Sequence, residues 1–389
     1  MAETIQQSTS FNRWIMIAQM IFALILFMIS IDLLTVSLLN MNNEVANEIF
    51  MATNNPFVGL LIGLLVTALI QSSSTVTAMV VAVVAAGNLS IMQAVPLVMG
   101  ANIGTTITST LVSFTYIMRK NAFRKAISAG VLHDLFNIIT VIILLPLEYY
   151  FGFLSRIASY VSSHVFSASN DFTETYSYNV IFTRPISTKF VEFFDIPLIS
   201  LVISIILVFM SIRLLSTSVY KTFISKSLKQ VSKHIFRLPY RAFAYGIFFT
   251  AAVQSSTVTT CLLVPAVATK RLSLNKVFPF IIGANIGTTI TAAIAAIYKT
   301  EAAIAIAIVH FLFNFIGAVL FLPFPALRKI PVKLAIYFGK QSAKKKFIGI
   351  AYILLAFFII PFLLIYFNKN DDVRDVDFKT QDTEMVKPE

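Results

Sequence analysis

The sequence predicts an all-α polytopic membrane protein. It is read as two inverted-topology repeats, each with a re-entrant helical hairpin and a broken transmembrane helix, about seven spans plus two hairpins. Three observations predict this. Of 389 residues, 57% are hydrophobic and 12% charged, with a mean hydropathy of +0.83; a soluble domain carries about twice that charge. The segment Gly100 to Thr108 recurs, residue for residue, as Gly283 to Thr291. Lysine and arginine concentrate in alternate connections along the chain, as the positive-inside rule requires of a multi-pass protein.

Each element follows in order. Residues 1–50 hold a first span, Trp14–Leu39, too long for a signal-peptide core and without a clear cleavage site, so it is read as retained. Residues 51–146 form repeat one. Within it, Phe57–Ala86 is apolar but carries Gln71-Ser72-Ser73-Ser74 at its centre. A straight crossing would set four polar side chains at mid-depth, whereas a hairpin buries them as a tip inside protein. Met92–Thr115 spans, with Gly100 and Gly104 flanking Asn102, and is expected to unwind there. Phe123–Pro146 completes the repeat. Residues 147–195 read as an outer loop, and 196–238 as a connecting span, Ile196–Ser216, with a basic cytoplasmic loop. Repeat two, 239–323, has a hairpin at 240–268, a broken span at 277–298 and a span at 302–323. Residues 324–367 read as a basic loop and a last span, Phe347–Phe367, and 368–389 as a polar tail.

The repeats align at an offset of 183 residues. That offset carries Gln71-Ser72-Ser73 onto Gln254-Ser255-Ser256, and Pro56, Gly63, Thr67 and Pro96 onto Pro239, Gly246, Thr250 and Pro279. Further on, at an offset of 177, His133 and Asn137 match His310 and Asn314. With the N-terminus inside, the inner connections hold 21 basic residues and one acid, Glu3. If either hairpin were an ordinary span, the later basic loops would change sides. The inversion is written in the same charges. The uncharged exit Gly87–Ile91 has as its mate the basic Lys270–Lys276, and the basic Arg119–Lys125 has the near-neutral Lys299–Glu301. Position therefore explains the net charge of +12, and no nucleic-acid partner is expected. The single cysteine, Cys261, lies in an apolar stretch, and no disulfide within the chain is possible.

The two tips offer hydroxyls, amides and freed backbone groups. Half-helix N-termini suit an anion, while half-helix C-termini and Ser or Thr oxygens suit a weakly held alkali cation. A divalent ion would recruit several carboxylates. A small oxyanion and an alkali cation side by side are therefore expected, with Gln71, Ser72, Ser73, Ser74, Asn102, Gln254, Ser255, Ser256 and Asn285 as candidates for the anion. Single Ser or Gly residues in membrane helices also serve close packing; two symmetric clusters point to a binding site. Asp134, in mid-span, is a functional candidate because charge there is costly; the alternative is a carboxyl hydrogen-bonded for packing, and its repeat mate is Phe311. His133 and His310 read as satisfied interior groups, and Asp32 is a weaker case. No P-loop, His/Asp metal cluster or nucleophile–base pair is recognisable, so no enzyme and no bound cofactor are expected.

The Gln71-Ser72-Ser73-Ser74 and Gln254-Ser255-Ser256 tips, the paired Gly-Ala-Asn-Ile-Gly-Thr-Thr segments, and Val131-Leu132-His133-Asp134-Leu135-Phe136-Asn137 together resemble the type II sodium-dependent phosphate cotransporters. Resemblance runs from about Ile31 to Leu364. It implies sodium-driven uptake of inorganic phosphate by alternating access across a cell membrane, plasma or inner, with Na⁺ as coupling ion. It implies that the two tips meet around the substrate and that Gln254, Ser255, Ser256, Thr288 and Thr291 hold sodium, with Thr105 and Thr108 as the mates of the last two. Family members with Asp at the place of Asp134 are electrogenic and bind an extra Na⁺, so Asp134 joins the sodium set. Three departures stand out: Thr257 in place of a fourth tip serine, no cysteine in 147–195, and a missing final span that leaves 368–389 outside. The local chemistry alone admits another small oxyanion, or a passive anion channel.

Overall fold

Pro56 and Pro239 open the two hairpins at the same repeat position, each in the first turn of its helix, where a missing N–H costs nothing and the fixed φ suits the helix. The computed structural model describes residues 2–41, 53–170, 183–194, 196–219, 234–297 and 299–368. The basic connection around Lys221–Lys233 and the tail beyond Asn368 lie outside the described residues, as does their expected sidedness.

In chain order, α1 (Ala2–Leu39) is followed by the first hairpin, α2 (Pro56–Ile70) and α3 (Ser73–Ala85). Next come α4 (Ile91–Gly104), α5 (Ile107–Ser113) and α6 (Lys120–Phe151). Helices α7 (Phe153–Asn170), α8 (Thr183–Phe194) and α9 (Pro197–Val219) link to the second hairpin, α10 (Pro239–Val253), α11 (Ser256–Cys261) and α12 (Leu263–Ala268). The chain continues through α13 (Leu274–Ala296), α14 (Glu301–Phe321), α15 (Pro325–Lys344) and α16 (Lys346–Leu354), which runs on as a π turn at Leu355–Ile359. Seven helices among the described residues are long and apolar enough to cross a membrane. The hairpin helices are not: 15 residues of α2 reach about 22 Å at 1.5 Å per residue, short of a hydrocarbon core of about 30 Å.

The expected unwinding at Gly100–Asn102 and Gly283–Asn285 is corrected. Both segments are helical. Their glycines serve close approach instead. A Cβ on Gly100 would overlap the Leu60 carbonyl oxygen, and one on Gly283 would overlap that of Phe243. Gly63 sits against Leu97 as Gly246 sits against Phe280, and Gly104 faces Thr67 as Gly287 faces Thr250. All these pairs shift by the same 183 residues. Small residues one turn apart let α2 lie on α4, and α10 on α13, at backbone contact.

The helix interruption falls elsewhere, and in one repeat. Helix α4 loosens at Thr105–Thr106, where Thr106 N bonds Ile103 O, while α13 runs unbroken to Ala296. The difference follows Asp134. Thr106 Oγ1 donates to Asp134 Oδ1 at 2.9 Å, whereas its mate Thr289 bonds only Ile286 O within its own helix, because Phe311 stands where the carboxylate would be. Hairpin two carries an interruption of its own, at Leu262. Pro265 explains it, since a proline ring clashes with the carbonyl four residues back, here Cys261.

Across the repeats, α3 packs on α13 and α14, and α6 on α12 and α13, so each half holds part of the other. Two segments read as loops contain helices. Residues 147–195 include α7 and α8, and the basic loop after repeat two contains α15, whose Pro331, Val332, Ala335 and Gly339 are buried. Its charges lie on the outer face, so its apolar stripe is narrow and the window hydropathy low.

Candidate functional site

Each Gln-Ser-Ser triplet folds the same way. Gln71 (φ 59) and Gln254 (φ 58) end their helices in the left-handed conformation, each N–H reaching back 2.7 Å to Thr67 O or Thr250 O. The next residue caps the following helix: Ser72 Oγ accepts from Thr75 N, and Ser255 Oγ from Val258 N, both at 3.3 Å. A serine cap supplies the acceptor that the first-turn donors lack. Each tip thus sets the carbonyl end of one helix beside the amide end of the next.

The tips meet. Ser74 Oγ donates to the main-chain oxygen of Gln254 at 3.3 Å, and behind them the Ser109 and Thr260 hydroxyls are 3.1 Å apart, joining α5 to α11. Around the second tip, Thr291 Oγ1 donates to Gln254 Oε1 at 2.6 Å, and Gln254 Nε2 donates to Ala251 O at 2.8 Å. The first tip differs. Gln71 is exposed while Gln254 is 7% exposed, and Thr108, the mate of Thr291, has a buried hydroxyl without a partner. Thr67 and Thr250, one turn before each tip, also keep buried hydroxyls without partners. These three hydroxyls have no hydrogen-bond partner in the protein.

Beneath the tips, four asparagines clasp the repeats in exchange. Asn285 of α13 donates to Asn137 Oδ1 of α6 at 2.7 Å, and Asn314 of α14 donates to Asn102 Oδ1 of α4 at 3.3 Å. Asn137 Nδ2 also reaches Asn102 O at 2.6 Å, and His133 Nε2 donates to Asn285 Oδ1 at 2.5 Å. The symmetry stops at the histidines: both ring nitrogens of His310 are without partners.

The structure therefore brings Ser74, Gln254 and Thr291 into direct contact, with Ser73, Ser255 and Ser256 adjacent in the chain. It places Asn102 and Asn285 in the clasp: Asn102 Oδ1 accepts from α14 while its Nδ2 donates to Val98 O of its own helix, and both ends of the Asn285 amide are engaged by α6. Thr105 and Thr288 bond back to Ala101 O and Ala284 O within their helices. Asp134, fully buried, accepts from Thr106 and from the Tyr352 hydroxyl of α16, and neither bond reaches a tip. Asp32 is accounted for by Lys299 Nζ at 2.7 Å and Arg184 at 3.6 Å. Sequence reasoning missed Tyr352, which lies outside the repeats and has no mate. It also missed the Ser109–Thr260 contact, and it signalled the four asparagines only as two recurrences, Asn102 as Asn285 and Asn137 as Asn314, without their pairing.

A family model described as Na+/Pi-cotransporter matches residues 26–146 and 207–360, two stretches that each contain one repeat. Sodium-dependent phosphate transport protein 2A of Ovis aries is 30% identical over 421 residues, covering 87% of this chain and 65% of that protein. The same-named protein of Rattus norvegicus is 30% identical, covering 88% and 66%. Sodium-dependent phosphate transport protein 2B of Homo sapiens is 27% identical, covering 86% and 62%. The chain spans just under two thirds of the length of these curated relatives. No solved structure matches it. With a model match that takes in both tips, both glycine-packed helices and the clasp between them, the chain belongs to the Na+/Pi-cotransporter family.

Proposed function

We propose that this multi-pass membrane protein is a sodium-coupled secondary transporter that takes up inorganic phosphate by alternating access, with net charge movement, in the cell membrane and with its N-terminus cytoplasmic. One observation carries the reading: the Ser74–Gln254 contact brings the two tips together. There the amide end of α3 and the serine hydroxyls favour an oxyanion. The carbonyl of Gln254, its Oε1 and the Thr291 hydroxyl form an oxygen set suited to Na⁺. Substrate and ion on the same tips couple their binding, because each stabilises the arrangement the other needs. The printed names of the relatives, sodium-dependent phosphate transport proteins, support the same pair of solutes. Asp134 is assigned the additional charge-bearing ion site, and no enzymatic step is ascribed to the chain.

The test is radiolabelled phosphate uptake into proteoliposomes under an inward sodium gradient. Accumulation above equilibrium is expected, lost when choline replaces Na⁺ and lost in Gln254→Ala. Accumulation that ignores the sodium gradient, or flux that only equilibrates phosphate, overturns the reading. Stronger competition by sulfate than by unlabelled phosphate assigns another oxyanion.

A further inference from the structure

Away from the tips, a cavity of about 740 Å³ opens on the basic face of the protein. Six cationic side chains from four separate elements line it: Arg124 and Lys125 of α6, Lys270 and Arg271 of the second hairpin's exit, Lys276 of α13, and Lys340 of α15. No carboxylate and no tip residue is among its lining residues. Val332 and Ile336 of α15 and Leu272 give it an apolar wall beside the charge.

The fold does not require these charges. Lys270 occupies a left-handed position (φ 63), and its mate in repeat one is Gly87 (φ 78). Repeat one makes the same turn with Gly87-Asn88, uncharged and without strain; repeat two makes it with Lys270-Arg271. A charge that only fixed topology could sit anywhere on the connection. Here cations from four elements converge on one concavity, and a bound anion lowers their mutual repulsion.

We propose that this cavity is a second anion site, distinct from the tips, that takes a phosphate group. Arginine forks and lysine ammonium groups match the non-bridging oxygens of such a group, and basic pockets between membrane helices hold anionic lipid headgroups in this way. The group comes either from an anionic phospholipid, whose chains the Val332–Ile336 wall accommodates, or from free inorganic phosphate.

The experiment uses the full chain in nanodiscs, with Arg271→Gln/Lys340→Gln compared with wild type. Lys346→Gln, a basic residue outside the cavity, is the control. In one arm, native mass spectrometry counts phosphatidylglycerol retained over phosphatidylcholine. In the other, binding of radiolabelled inorganic phosphate is measured in pure phosphatidylcholine discs and choline buffer, which removes sodium-coupled binding at the tips. In one of the arms the double variant is expected to bind roughly tenfold or more weakly than wild type, with the control unchanged. Loss in the first arm assigns a lipid headgroup, and loss in the second assigns free phosphate. Equal binding by wild type and variant in both arms overturns the site, as does equal loss in Lys346→Gln. Should the double variant unfold, Lys340→Gln alone, on an exposed face of α15, makes the same comparison.

Discussion

Ser109 Oγ lies 3.7 Å from Cys261 Sγ, so the sole cysteine of the chain faces repeat one across the join between α5 and α11. Replacing Ser109 with cysteine sets two thiols within reach of one bond. Oxidation of Ser109→Cys is expected to form a single disulfide between the repeats, seen as a loss of free thiol. Because the bond fixes α5 to α11, phosphate uptake should stop on oxidation and return on reduction. Ser109→Cys/Cys261→Ser is the control. Full uptake with the disulfide formed would mean that these helices do not move relative to one another during transport.

The glycine seams predict matched losses. Gly100→Ala and Gly283→Ala each drive a methyl group into a main-chain oxygen of the neighbouring helix, and over-packing of this kind costs about 1–3 kcal/mol or more. Thermal unfolding in detergent should fall by similar amounts in the two variants, since the seams are repeat mates. Gly87→Ala meets open space and pays only for its positive φ, roughly 1 kcal/mol. A Gly283 variant as stable as wild type would contradict the backbone contact.

Asp32 and Lys299 tie α1 to the turn between α13 and α14 with side chains 7% and 8% exposed. Removing one partner strands a buried charge, which costs about 3–5 kcal/mol, whereas replacing both with apolar groups can be neutral. Asp32→Asn is therefore expected to lower the unfolding temperature sharply, and Asp32→Leu/Lys299→Met to recover only part of the loss, because Arg184 also pairs with Asp32 at 3.6 Å. Additive losses in the double variant would show that the pair is not coupled.

Much of this was legible in the sequence because duplication doubles every signal. Gln71 and Gln254 announced the hairpin tips twice, and Asn102 with Asn285 marked a polar element in each half. What the residues did not reveal was how each was used. Glycine in a membrane helix serves unwinding or close packing equally well, and only the carbonyls of Leu60 and Phe243 decide between them. Asparagine amides suit a ligand or a clasp, and the partners Asn137 and Asn314 are known only once α6 and α14 are placed. Helix α15 was hidden because a surface helix with Lys329, Lys333 and Lys340 on its outer side has little mean hydropathy.

Asp134 predicts a split between flux and current. Its carboxylate is buried, held by Thr106 and Tyr352, with no ion pair to it among the described residues. Asp134→Gly is expected to leave phosphate uptake but remove the net charge moved with it. Tyr352→Phe keeps the Asp134 carboxyl group and removes one donor, so it should shift the sodium concentration for half-maximal uptake while current per phosphate stays constant. Unchanged current per phosphate in Asp134→Gly would dispose of the extra sodium site.

The two tips are not in the same condition, and that difference predicts the last outcome. Thr291 is bonded to a buried Gln254, while Thr108 has no partner and Gln71 is exposed. If this arrangement is one end of a transport cycle between inverted repeats, the other end exchanges the roles: Gln71 withdraws onto Thr108, and Gln254 is released from Thr291. Both hydroxyls are then needed, each in one half of the cycle. Thr108→Ala and Thr291→Ala should lower the maximal uptake rate by comparable factors, about tenfold for a hydrogen bond of roughly 1.4 kcal/mol. Their stabilities should differ, because only Thr291→Ala removes a bond present here. Thr108→Ser should restore transport, since it returns the hydroxyl alone. If instead Thr108→Ala transports as wild type does, the free hydroxyl of repeat one has no turn in the cycle, and the exchange of roles between the tips fails.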